Sequence, residues 1–134
     1  MLGLKDPETG LIALRLGELH GDEGNFGAAD SMLVVAQTIY GSVVPPDPGA
    51  VAEVFTQRAQ IAKELGSFDL ADSVYVQSLV FARMVDPVDS GTLSLTLNNY
   101  GEMLRSRGRL DEAEAPVREA LALRRRIFGV DSGR

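Results

Sequence analysis

Few residues in this chain could do chemistry, and most of them read as structural. His20 is the only histidine, and with Asp22 and Glu23 close by it invites a metal or general-base role. A metal site would want further ligands at helical spacing, and His20 falls in a column that is apolar elsewhere. It therefore reads as a partly buried packing residue. The run Gly21-Asp22-Glu23-Gly24-Asn25-Phe26-Gly27 has the glycines of a phosphate-binding loop but no lysine. Its two acids would repel phosphate, so a turn is expected there. The serines lack a nucleophile-elbow sequence, and one misplaced histidine cannot complete a serine–histidine–acid relay. A carboxylate pair could in principle act as acid and base, since Asp and Glu total 19. Most of these must instead be solvated on helix faces. No catalytic residue, metal ligand or cofactor is assigned, and an enzyme is the least favoured reading.

Arginines cluster at Arg105, Arg107 and Arg109, and again at Arg124, Arg125 and Arg126. Both sets fall near the C-terminal ends of helices, where positive charge offsets the macrodipole. A weak site for an acidic partner is the functional alternative. A polar column is more informative. Arg15, Gln57 and Asn99 occur at one register, Glu18, Gln60 and Glu102 three residues further, and Lys63 and Arg105 one turn beyond. Spacings of three and seven put these residues on one face of each helix. Their amide and charged groups can hydrogen-bond the main chain of an extended peptide, which offers a donor and an acceptor per residue whatever its sequence. The plain alternative is a set of solvated positions.

The elements that must position this column come from a chain of 134 residues, 45% hydrophobic and 24% charged, enough for one globular domain with a core. A net charge of −6 disfavours nucleic acid as a partner, since the phosphate backbone needs a basic stripe. The first 67 residues hold four basic and nine acidic side chains, the rest nine and ten. Cysteine is absent, which removes disulfides, thiolate nucleophiles and cysteine metal sites together. The opening segment MLGLKDPETG has no basic stretch followed by an apolar run, and no segment approaches the ~20 apolar residues that span a bilayer. No membrane association and a cytoplasmic location are expected.

Self-similarity then fixes the architecture. The strings Gly24-Asn25-Phe26-Gly27-Ala28-Ala29-Asp30, Gly66-Ser67-Phe68-Asp69-Leu70-Ala71-Asp72 and Gly108-Arg109-Leu110-Asp111-Glu112-Ala113-Glu114 share one pattern and recur every 42 residues. Gly17, Ala59 and Gly101 keep step upstream, and Ala36, Ser78 and Ala120 downstream, so small residues recur where two backbones must touch. Val88-Asp89-Ser90-Gly91 returns as Val130-Asp131-Ser132-Gly133. Within a copy the apolar period is helical: Leu93, Leu97, Tyr100, Gly101 and Leu104 form one stripe from about Thr92 to Arg107. Gly24, Gly66 and Gly108 should each close a helix in the left-handed conformation.

The last helix is expected to open at Asp111, with Glu114 completing a capping-box-like pair, and to bend at Pro116. Ala113, Val117, Ala120, Leu121 and Ile127 should line its buried side. The stretch Val43-Val44-Pro45-Pro46-Asp47-Pro48 and the break at Asp86-Pro87 separate the copies.

This unit of helix, turn, helix and loop, with its small-residue signature at Gly17, Gly24, Phe26, Ala29 and Ala36, resembles the tetratricopeptide repeat. The 42-residue length, with Thr96-Leu97-Asn98-Asn99-Tyr100 opening a copy and Ala120-Leu121-Ala122-Leu123-Arg124-Arg125-Arg126-Ile127-Phe128-Gly129 closing it, is similar to the kinesin-light-chain type. Two departures are Arg58, where Leu16 and Tyr100 are apolar, and His20, where Ala62 and Leu104 are. The resemblance implies an all-α solenoid of three stacked helix-turn-helix repeats in a right-handed superhelix. The repeats span about 6–46, 47–88 and 89–130, and 131–134 begin a further copy or a tail.

It also implies a non-catalytic scaffold that binds a peptide or protein in the concave groove, where Asn99 matches an asparagine that contacts peptide main chain. The basic clamp that some relatives use for a terminal carboxylate is not recognisable. A second reading is a regulatory or sensor segment of a larger signalling protein, linked to an NTPase or protease and acting intramolecularly. Val117, Leu121, Ile127 and Phe128 leave the last helix with an uncovered apolar row, so the chain is expected to belong to a longer array or to self-associate through its terminal helices.

Overall fold

Residues 6–85 and 91–128 are described by the structure, a computed structural model. They form α1 (Pro7–Asp22), α2 (Phe26–Ser42), α3 (Pro48–Glu64), α4 (Phe68–Ala82), α5 (Gly91–Ser106) and α6 (Leu110–Phe128), with no strand among the described residues. The expected break at Asp86-Pro87, the echo at Val88–Gly91 up to Ser90, and residues 129–134 lie outside the described residues, as do the side chains of Ile127 and Phe128.

Local chemistry sets the helix ends. Asp6 and Asp47 cap α1 and α3, accepting from the amides of Glu8 at 3.0 Å and Ala50 at 3.2 Å. In each case proline follows, where its missing N–H costs nothing and its fixed φ suits the first turn. The tight turn inside each copy is closed by Gly24, Gly66 and Gly108 at φ of +82°, +81° and +79°. There the amides of Asn25, Ser67 and Arg109 return to the carbonyls of His20, Ala62 and Leu104 at 2.8, 2.8 and 2.9 Å. This is a Schellman closure made three times.

That closure also corrects the expected start of the last helix. Arg109, like Asn25 and Ser67, already accepts the first intrahelical bond through its carbonyl, so α6 opens at Leu110 and not with Asp111 as cap. Asp111 and Glu112 stand in its first turn, and the Glu114 carboxylate bonds Arg118. The helix runs through Pro116 without interruption.

Each copy is a helix hairpin, with α1 against α2, α3 against α4 and α5 against α6, and successive hairpins stack through α2 with α3 and α4 with α5. The first helices also touch one another, α1 with α3 and α3 with α5. Small residues set the hairpin distance: a Cβ on Gly17 would lie 2.8 Å from the Leu33 side chain, and one on Gly101 2.5 Å from Val117 Cγ2. Ala29, Ala36, Ala59, Ala71 and Ser78 are likewise buried. Of the four described side chains expected on the buried side of α6, Ala113 and Ala120 are buried, joined by Leu123, while Val117 and Leu121 are exposed. Val117 still closes on Gly101 of α5, but its outer side and Leu121 are open to solvent.

Candidate functional site

Between hairpins the register positions of the first junction and the second carry different chemistry. In the first, Leu14, Ala36 and Val54 are buried in one apolar cluster. Steps of 42 residues lead to Thr56, Ser78 and Thr96. These are buried too, and their hydroxyls hydrogen-bond: Thr56 to Ser78 at 2.6 Å and to Thr96 at 2.8 Å, with Ser78 donating to the Ala52 carbonyl at 2.8 Å. In the repeat pattern Ser78 stands only as a small residue, and Thr56 and Thr96 carry no signal of their own. The signal was a coincidence of three hydroxyl residues at positions one period from three apolar ones.

The departure at Arg58 is resolved in the same way. Its guanidinium donates from Nε to Asp30 at 3.1 Å and from Nη1 to Gln37 at 2.8 Å. One period later Tyr100 donates through its hydroxyl to Asp72 at 2.6 Å. Asp30 and Asp72 are the acids that end the repeated motif, so each accepts a donor from the next hairpin. Burial, the Asp72 bond and nearby carboxylates push the Tyr100 hydroxyl up to about 12.

On the face shared by the first helices, the predicted column divides. Arg15 Nη1 lies 2.7 Å from Glu18 and 2.9 Å from Glu53, and Gln57 Nε2 donates to Glu18 at 3.0 Å. Arg15 is consequently held more firmly protonated than a free guanidinium, first by its bonds to Glu18 and Glu53. Glu53 belongs to this network and was not foreseen. Glu18 and Gln57 are also shared by two adjoining open pockets. One, of about 320 Å³, is lined by these two with Asp22, Gln60, Lys63 and Glu64 among others. The second, of about 380 Å³, reaches Glu53, Thr92, Leu95 and Thr96.

Five of the eight predicted residues, Arg15, Glu18, Gln57, Gln60 and Lys63, are thus brought together around α1 and α3. The other three stay on α5. Glu102 and Arg105 pair with each other on its exposed side. Asn99 is half-buried, and its Nδ2 is a buried donor without a hydrogen-bond partner.

Three further candidates make local contacts. Arg107 lies over the Phe68 ring, 4.1 Å from its centroid, and Arg109 pairs with Glu112. Half-buried His20 has its Nδ1 4.0 Å from Glu23, too far for a hydrogen bond. Among the described residues no cluster of three or more metal-ligating side chains occurs, and no helix is long and apolar enough to cross a membrane.

Comparison with known proteins agrees with this architecture. Residues 94–132 match the tetratricopeptide repeat family model. The crystal structure of BtubC (BKLC) from P. vanneervenii is similar at a TM-score of 0.77 and 22% identity, over 91% of this chain and 47% of that one. This chain thus spans about half the length of BtubC. No curated protein matches the sequence. Period, turn geometry, hairpin stacking and these likenesses together show the fold of a tetratricopeptide-repeat array, with the third copy matching the family model itself.

Proposed function

We propose that this array is a non-catalytic interaction module that binds an extended peptide or protein segment on the concave face formed by α1, α3 and α5. Tetratricopeptide repeats generally mediate protein–protein interaction, and the observation that supports this site is the pair of adjoining pockets that share Glu18 and Gln57. Their polar groups match what a peptide main chain offers. Gln57 and Gln60 present both amide donors and acceptors, and the unpartnered Asn99 Nδ2 adds a donor that a ligand carbonyl can use after a side-chain rotation. Around the first pocket three carboxylates, Glu18, Asp22 and Glu64, outnumber the Lys63 ammonium, which favours a segment carrying basic side chains.

Selection from a random peptide-display library against the intact chain tests the reading. Binders enriched in lysine or arginine are expected, and Gln57→Ala combined with Asn99→Ala should weaken them by about 1 kcal/mol for each hydrogen bond lost. Helicity should be unchanged. Unaltered affinity in the double variant moves the site elsewhere.

A further inference from the structure

The first and last described helices, α1 and α6, carry faces that match each other. On α1, Ile12, Leu16 and Leu19 stand at spacings of four and three and so share a face. One period on they become Val54, Arg58 and Ile61 of α3, and one more Thr96, Tyr100 and Met103 of α5. Inside the array this face meets the preceding hairpin: Val54 and Ile61 join the cluster of Leu33 and Ala36, Arg58 reaches Asp30, and Tyr100 reaches Asp72. Val54, Ile61, Thr96 and Met103 are therefore 0%, 6%, 0% and 1% exposed, whereas Ile12, Leu16 and Leu19 are 59%, 40% and 51% exposed. At the other end Glu114, Val117 and Leu121 of α6 repeat Asp30, Leu33 and Gln37 of α2. Leu33 and its equivalent Tyr75 are fully buried, but Val117 and Leu121 are exposed.

The polar groups at these ends decide which helix fits. Asp30 and Asp72 have valine four residues on, Val34 and Val76, and take their donor from the next hairpin. Glu114 has Arg118 at that offset and bonds it at 2.8 Å, so its carboxylate is satisfied within its own helix. On α1 the donor position holds Leu16, which has nothing to donate. An end that needs no donor thus faces an end that offers none.

We propose that the partner of these faces is a second copy of this chain, with α6 of one molecule packing on α1 of the next as α2 packs on α3. Such a contact is head-to-tail and does not close on itself, so it extends into short linear stacks and leaves the face of α1, α3 and α5 free.

Sedimentation equilibrium across a concentration series tests it together with two blocked variants: Ile12→Glu with Leu16→Glu on α1, and Leu121→Glu on α6. All three positions are exposed, and helicity is expected to be kept. Should glutamate lower it, Ile12→Lys and Leu121→Lys serve in their place. The unaltered chain should rise above monomer mass below about 100 μM. Each blocked variant alone should remain monomeric. Their mixture should form a one-to-one dimer and nothing larger, since one intact α6 meets one intact α1. An unaltered chain that stays monomeric, a blocked variant that dimerises by itself, or a mixture that does not associate overturns the proposal.

Discussion

Leu14, Ala36 and Val54 fill the heart of the first junction, and Thr56, Ser78 and Thr96 fill the same three positions of the second. Both sets are buried, but one is held by apolar contact and the other by hydroxyls that bond one another and the Ala52 carbonyl. The rims differ as well. Arg58 links the first pair of hairpins to Asp30 and Gln37, and Tyr100 links the second to Asp72. On the side of the first helices the first junction carries the Arg15–Glu18–Glu53–Gln57 network, while at the second Asn99 keeps an unpartnered donor. Hairpin stacking therefore fixes where a contact must be made and leaves its chemistry open. A position in the repeat demands burial and volume, and either apolar or mutually satisfied polar groups meet that demand.

The comparison breaks most visibly at the apolar plug. Leu14→Ala removes a fully buried side chain that nothing polar can replace, and should cost about 2–5 kcal/mol in urea unfolding. A loss as small as that of an exposed leucine would mean the first junction is loosely packed. A smaller effect is expected at its rim. Arg58→Met keeps the aliphatic stem but removes the bonds to Asp30 and Gln37, and should cost about 1 kcal/mol, as a partly exposed charge pair does.

The smallest effect sharpens the contrast through pH. The Tyr100 hydroxyl titrates near 12 in the folded chain, above the value of about 10 for a free tyrosine, so its contribution is whole below pH 10. It declines as pH rises from 10 and is lost by about 12, because the unfolded state gives up its proton first. Tyr100→Phe should flatten part of that alkaline decline. The rest remains with Tyr75, whose hydroxyl burial also keeps neutral. An alkaline profile unchanged by Tyr100→Phe would show that the Asp72 bond does not hold the second junction.

How far the sequence could be read follows from the same contrast. The helix pairs, the left-handed glycines at 24, 66 and 108 and the close crossings at Gly17 and Gly101 were legible, because backbone geometry tolerates only small residues or glycine there. The opening of α6 was misread since Asp111 is a good capping residue, yet the turn closed by Gly108 hands that role to Arg109. Arg58 looked like a flaw in an apolar column. Its partner Asp30 lies 28 residues away on another helix, so no local pattern could reveal the bond. The polar column on the first helices was found by period alone, but period could not tell that Glu53 of α3 would bind Arg15 of α1. Partners across helices depend on the angle between hairpins, which repeat spacing does not encode.

The hydroxyl cluster tests most directly whether one register accepts two chemistries. Urea unfolding of Thr56→Val should show a loss of about 1–3 kcal/mol, because Thr96 is left buried without its partner. Adding Ser78→Ala and Thr96→Val removes the stranded groups and recreates an apolar plug like that of Leu14, Ala36 and Val54. The triple variant should return to within about 1 kcal/mol of the unaltered chain. Losses that simply add from one substitution to the next would contradict the account.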